Sequence, residues 1–161
     1  MKRIISLVLA AVLSIACIAA FAGCGSSSDG GKNVDLNAVL DKINTENNLS
    51  LEKVDSTKAL KRYYLIDEAD VKQFAAEMDK SNTNAPIDIV LVEATNAEAA
   101  GRVKSALDTK YSSVVNTYTS YTPEKADMVK ACKVTQDGNF ISLIISDNAD
   151  KMVKTYQDSI K

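Results

Sequence analysis

The stretch Phe140 to Ile145, Phe-Ile-Ser-Leu-Ile-Ile, leaves the chain least freedom. It is the strongest strand pattern in the sequence and reads as the central strand of a sheet. Just before it, Asp137-Gly138 signals a hairpin, because both central residues of a type I′ turn need positive φ. Upstream of that turn, Ala131 to Gln136 alternates Cys132 and Val134 against Lys133 and Thr135, as a partner strand would. Ser146-Asp147 then offers a cap for a last helix, with Ala149, Met152, Val153, Tyr156 and Ile160 facing inward.

A second strand pattern spans Ile87 to Ala94, short, rich in β-branched residues and preceded by Asn84-Ala85-Pro86. Thr95-Asn96-Ala97-Glu98 follows as a capping box, in which Thr95 and Glu98 would satisfy the first free amides of a helix. That helix is the longest expected: Ala100, Val103, Leu107, Tyr111, Val114, Tyr118 and Tyr121 step by three and four residues until Pro123 stops them. Glu124 to Val129 adds a further short helical piece. Nearer the start, Asp35 can cap a helix whose stripe is Leu36, Val39, Leu40 and Ile43, ending at Asn44 to Asn48. Ser56-Thr57 begins another, to about Tyr63, with Leu60 and Tyr63 or Tyr64 inward. Between Asp67 and Lys80 the residues fit either state. Val71, Phe74, Ala75 and Met78 make a helical stripe, whereas Phe74, Ala76 and Met78 alternate with Ala75, Glu77 and Asp79 as in a strand; propensity leans helical, and periodicity does not decide.

The chain opens with Met1-Lys2-Arg3 and an uncharged apolar run of 18 residues, Ile4 to Phe21. A basic start, a hydrophobic run and small residues at a cut site make a secretory signal, the alternative being an uncleaved anchor, since 18 residues is also near the minimum for a transmembrane helix. Phe21-Ala22-Gly23-Cys24 ends it, and Gly25 to Asn33 follows as a Gly/Ser-rich tether without an apolar residue. The ending resembles the lipobox of bacterial lipoproteins, with Phe21 where that motif usually has Leu. The resemblance implies a diacylglyceryl group on the Cys24 sulfur and cleavage before it. Cys17 fits less well, since apolar residues rather than a tether follow it. Residues 1–23 are therefore expected as signal peptide, 24–33 as lipidated Cys and tether, and 34–161 as one domain. Acyl chains add about 0.8 kcal/mol per buried methylene, so a dual-chain anchor holds stably where one chain is marginal. The tether's root-mean-square reach is roughly 15–20 Å.

Cleavage at Cys24 would leave 17 basic against 21 acidic side chains, with no basic patch to suggest nucleic acid as a partner. Cys132 would then be the one unmodified cysteine, so no intramolecular disulfide is expected.

The lipobox, the tether, the Asp-Leu-Asn-Ala-Val-Leu-Asp-Lys-Ile helix, Tyr64-Leu65-Ile66-Asp67-Glu68-Ala69-Asp70-Val71, the long helix and Gly138-Asn139-Phe140 before Asp147-Asn148-Ala149-Asp150-Lys151 together resemble an uncharacterised family. These are small lipoproteins of clostridial Firmicutes, grouped as domain of unknown function 4358. The resemblance implies a strand at Lys72 to Lys80. The expectation is then an α+β domain: a mostly antiparallel four-stranded sheet built of two strand pairs, each followed by a helix. Helices cover one face, and further helices stand at the N-terminal end.

Catalytic patterns are sparse. The chain has no His, no Gly-x-Ser-x-Gly turn and no P-loop. Cys132 is expected as a small buried hydrophobe. Asp67, Glu68 and Asp70, like Asp147 and Asp150, lack calcium-loop spacing and sit where acids stabilise helix starts. Tyr111, Tyr118 and Tyr121 are expected as core with hydroxyls at the rim, against the alternative of a ligand groove. No catalytic residue, metal or cofactor is assigned. The expected role is a non-enzymatic binding or interaction module, lipid-anchored on the extracytoplasmic face of the cell membrane, meeting a protein or small-molecule partner there. The alternative is a small solute-capturing lipoprotein serving a transporter, which a cavity above a few hundred cubic ångströms would favour.

Overall fold

The computed structural model describes residues 33–80 and 86–161. The leader, Phe21-Ala22-Gly23-Cys24, the tether as far as Lys32, and Asn84-Ala85 lie outside the described residues. In chain order the elements are α1 (Leu36–Asn47), β1 (Glu52–Lys53), α2 (Thr57–Tyr64), a short 3₁₀ turn (Glu68–Asp70), β2 (Val71–Met78) and β3 (Asp88–Ala94). Then follow α3 (Ala97–Tyr121), α4 (Pro123–Ala131), β4 (Val134–Asp137), β5 (Phe140–Ile145) and α5 (Ala149–Ile160).

The sheet is antiparallel throughout, in the order β1-β2-β3-β5-β4. It has five strands rather than the four expected. The extra one, β1, is two exposed residues at an edge, too short and too polar to leave a sequence pattern. Val71–Met78 is a strand, as the family resemblance implied. Both strand pairs, β2–β3 and β4–β5, are followed by a helix.

The larger correction concerns the layers. Helices cover both faces of the sheet, not one. Side chains alternate along a strand, and β3 divides accordingly. Val90, Val92 and Ala94 join a core with Leu60 and Tyr64 of α2, Val103 and Leu107 of α3 and Val129 of α4. Ile89 and Leu91 face the other way, against Leu36, Val39, Leu40 and Ile43 of α1 and Met152 and Tyr156 of α5. β5 splits likewise, with Ile141, Leu143 and Ile145 on the α3 side and Ile144 on the α1 side. Each fully buried aliphatic side chain contributes about 1.5–3 kcal/mol, so neither face is a minor one.

Local signals explain most helix starts. Asp35 caps α1, accepting from the Asn37 and Ala38 amides at 2.9 and 3.4 Å. Ser56 caps α2 through the Ala59 amide at 3.3 Å. The expected Thr95–Glu98 capping box is not formed. Asn96 caps α3 instead, accepting from the Ala99 amide at 2.9 Å, while Glu98 is held by Arg102 at 2.9 Å. Asn and Thr are both good caps, and here the Thr95 hydroxyl turns back toward the Ala69 carbonyl. Ser146 accepts from the Asn148 amide ahead of α5 at 3.2 Å. In the β4–β5 hairpin the central residues are Gly138 and Asn139, and only Gly138 has positive φ, at +57°. That is the pattern of a II′ turn, with Gly first, rather than the expected I′.

Candidate functional site

Three strands end side by side at one edge of the α3 layer. In the antiparallel register Met78 of β2 pairs with Asp88 of β3, and Asp88 pairs with Ile145 of β5. The rows behind this one are apolar: Ala76, Val90 and Leu143, then Phe74, Val92 and Ile141. Asp88 thus puts a carboxyl where the ladder would otherwise continue with a hydrophobe, on the face that α3 covers.

The helix answers with a charge of its own. On α3 the buried stripe runs Ala100, Val103, Leu107, and one turn on, Lys110 occupies a half-buried position before Val114 and Tyr118. Tyr64, fully buried at the end of α2, donates its hydroxyl to Asp88 Oδ1 at 2.5 Å. Lys110 Nζ stands 5.7 Å from the centre of the Tyr64 ring, a cation–π contact. Burial pushes the Asp88 carboxyl pKa above its ordinary value; the Tyr64 hydrogen bond and the Lys110 charge oppose that without cancelling it. Burial and the neighbouring Asp88 carboxylate likewise raise the Tyr64 phenol, which is therefore a fixed donor across the physiological range.

Between the strand ends and α3 lies a cleft of about 310 Å³, lined by Met78, Asp79, Lys80, Pro86, Ile87, Asp88, Lys110, Val114, Tyr118 and Ile145. Its walls are mainly apolar with a few convergent polar groups, the composition of small-molecule sites. Lys80 at its mouth is already engaged, with Glu52 at 2.6 Å and over the Tyr63 ring at 5.2 Å. Another hollow of about 360 Å³ lies between the end of α4 and the start of α5, lined by Met128, Cys132, Asp147 and neighbours. Two of its polar groups are engaged locally: the Cys132 thiol donates to the Met128 carbonyl at 3.4 Å, and Ser146 Oγ accepts from the Asn148 amide.

The other residues singled out from sequence are placed as follows. Cys132 is buried, as expected, but ends α4 instead of lying within a strand. Burial raises its pKa, so it is not the thiolate a nucleophile requires. Asp70 does not serve a helix start. It is buried and takes a two-pronged contact from Arg102, at 3.1 Å from Nε and 2.7 Å from Nη2. Asp67 pairs with Lys61. Asp150 does lie in the first turn of α5. The tyrosines separate: Tyr111 donates to the Val129 and Lys130 carbonyls at 3.1 Å each, Tyr118 lines the cleft, and Tyr121, expected inward, is 84% exposed. Among the described residues no three His, Cys, Asp or Glu side chains are grouped to hold a metal ion, and no helix is long and apolar enough to cross a membrane.

Sequence reasoning named Tyr64 only as an inward candidate beside Tyr63, and passed over Asp88 and Lys110. One signal was available: a carboxylate inside the apolar run Ile87-Asp88-Ile89-Val90, at the parity of the buried Val90 and Val92. Its phenol partner, 24 residues away, left none.

No curated protein and no solved structure matches the chain. A family model described as Domain of unknown function (DUF4358) matches residues 44–146, well over half of the chain. The matched stretch contains all five strands and every residue lining the cleft. The chain belongs to the DUF4358 family.

Proposed function

We propose that this protein is a non-enzymatic binding module, held at the extracytoplasmic face of the cell membrane by a lipid on Cys24. The signal-like run, the Phe21-Ala22-Gly23-Cys24 ending and the Gly/Ser tether support the anchor. The observation that carries the binding reading is the cleft at the strand ends: about 310 Å³, mainly apolar-walled, with Asp88 and Lys110 both in its lining. Asp88 is half-buried at the end of an apolar ladder, and its carboxyl holds one side-chain hydrogen bond among the described residues, which leaves it acceptor capacity for a ligand. The volume sits at the lower end of the small-molecule range, which favours solute capture over a large protein interface at this site.

The test is photo-crosslinking in cells, with benzoyl-phenylalanine replacing Val114 in the cleft wall or Asp127 on the exposed side of α4. Capture of a small molecule or partner from position 114, exceeding that from 127, is the expected result. Equal or absent capture at the two positions refutes binding at the cleft.

A further inference from the structure

The chemistry of the cleft narrows the ligand; this step rests on the binding reading above. Two opposite charges face the same space without closing on each other. Asp88 Oδ1 is bound to Tyr64, and no other side-chain hydrogen bond reaches its carboxyl among the described residues. Lys110 Nζ makes no ion pair within 4.0 Å among the described residues; its partners are the Tyr64 ring face and the longer-range pull of Asp88. Of the other charged residues lining the cleft, Lys80 is closed on Glu52 at 2.6 Å and Asp79 has a contact of its own.

A ligand entering this space strips water from both groups, and each then needs a partner. A lone carboxylate would satisfy Lys110 but set its charge against Asp88. A lone amine would satisfy Asp88 and leave Lys110 desolvated. A neutral apolar molecule would leave both unpaired, and an uncompensated buried charge costs several kcal/mol. A molecule carrying both charges at one end avoids each penalty. Beyond the charged end, Met78, Ile87, Val114 and Ile145 offer an apolar wall. The volume, about 310 Å³, is that of roughly ten water molecules, enough for one compact molecule and too little for a folded segment. We propose that the cleft binds a small zwitterion of the α-amino-acid class with an apolar side chain, its ammonium on Asp88 and its carboxylate on Lys110.

Isothermal titration of the full-length protein in detergent micelles tests this with L-leucine and L-methionine as probes. The comparison ligands are isocaproate, which lacks the ammonium, isopentylamine, which lacks the carboxylate, and glycine, which lacks the apolar body. The amino acids should bind, and each comparison ligand should bind at least about tenfold more weakly, because a site built for a charged group rejects the analogue without it. Lys110→Met should weaken leucine by a similar factor while tightening isopentylamine, whose binding no longer desolvates an ammonium or sets one against another. Lys110 is half-exposed and makes no ion pair among the described residues, so this variant should fold, which far-ultraviolet circular dichroism checks. Isocaproate or isopentylamine binding as tightly as leucine overturns the proposal, as does leucine affinity unchanged by Lys110→Met. No heat from either amino acid at millimolar concentration overturns it too. If position 114 still captures a ligand in cells in that case, the zwitterion class is wrong and the binding reading stands; if capture is also absent, both fall.

Discussion

Removing one oxygen atom tests the reasoning at the cleft floor. Tyr64→Phe keeps the ring, which is fully buried, and deletes only the hydroxyl that donates to Asp88 Oδ1 at 2.5 Å. The Asp88 carboxyl then loses its only side-chain hydrogen bond among the described residues. A hydrogen bond to a charged group is worth about 1.5–3 kcal/mol, so the variant should lose that much stability at neutral pH. For a domain of this size that corresponds to a fall in Tm of roughly 5–10 °C. The pH dependence fixes the cause. The folded-state pKa of Asp88 is raised by burial, so its ionisation makes folding less favourable as pH rises from the unfolded pKa through the folded one. The Tyr64 hydrogen bond stabilises the ionised form and limits that loss. Without it the folded pKa climbs further. The difference between wild type and Tyr64→Phe should therefore be small where the carboxyl is protonated in both and should grow with pH. Urea denaturation at pH 4 and pH 7.5 measures it. A loss below about 0.5 kcal/mol at pH 7.5, or a difference that shrinks with rising pH, refutes the account of the Tyr64–Asp88 pair.

Three further outcomes are expected. Leu91→Ala on the α1/α5 side and Leu143→Ala on the α3 side should each cost about 2–5 kcal/mol in urea denaturation, since both residues are fully buried; a loss below about 1 kcal/mol for Leu91 would mean that the α1/α5 face is not truly covered. Arg102→Leu should lower Tm by a few degrees at neutral pH. Arg102 holds the Asp70 carboxyl below its usual range, so this stability is present above the unfolded pKa and is lost as pH falls through the folded one, and the gap to wild type should close in acid; a gap that persists there contradicts the pairing. Cys132 should resist iodoacetamide in the native protein and react on unfolding in urea, as followed by mass spectrometry of its peptide; rapid native labelling would contradict its burial.

What the sequence reveals depends on how local the cause is. Leu36, Val39, Leu40 and Ile43 line up within α1, with Asp35 one residue ahead, so helix, face and cap are all readable there. The runs at β3 and β5 announce buried strands, and Ile89-Val90-Leu91-Val92, apolar at both parities, already implies cover on two faces. Pairing each hairpin with the helix that follows hides this, because α1 returns from the other end of the chain to sit beside α5. β2 is ambiguous because it is polar on a buried face. Glu77 and Gln73 point toward α1, where Asn44 donates to Glu77 at 2.7 Å and Gln73 meets the Leu36 amide at 3.2 Å and the Val34 carbonyl at 2.6 Å. Those partners lie more than 30 residues away, beyond any window of periodicity. The cleft is hidden for the same reason, since Tyr64, Asp88 and Lys110 meet only once the sheet and α3 are assembled.

The central claim is that a binding domain is held to the membrane through Cys24, and the most direct measurement is the mass of the N-terminal peptide of the protein purified from membranes of the native host. The account predicts a peptide beginning at Cys24 and carrying a diacylglyceryl group on its sulfur, absent when Cys24→Ser is expressed. A peptide beginning at Met1, or at any residue after Cys24, or one beginning at Cys24 with an unmodified thiol, would contradict it.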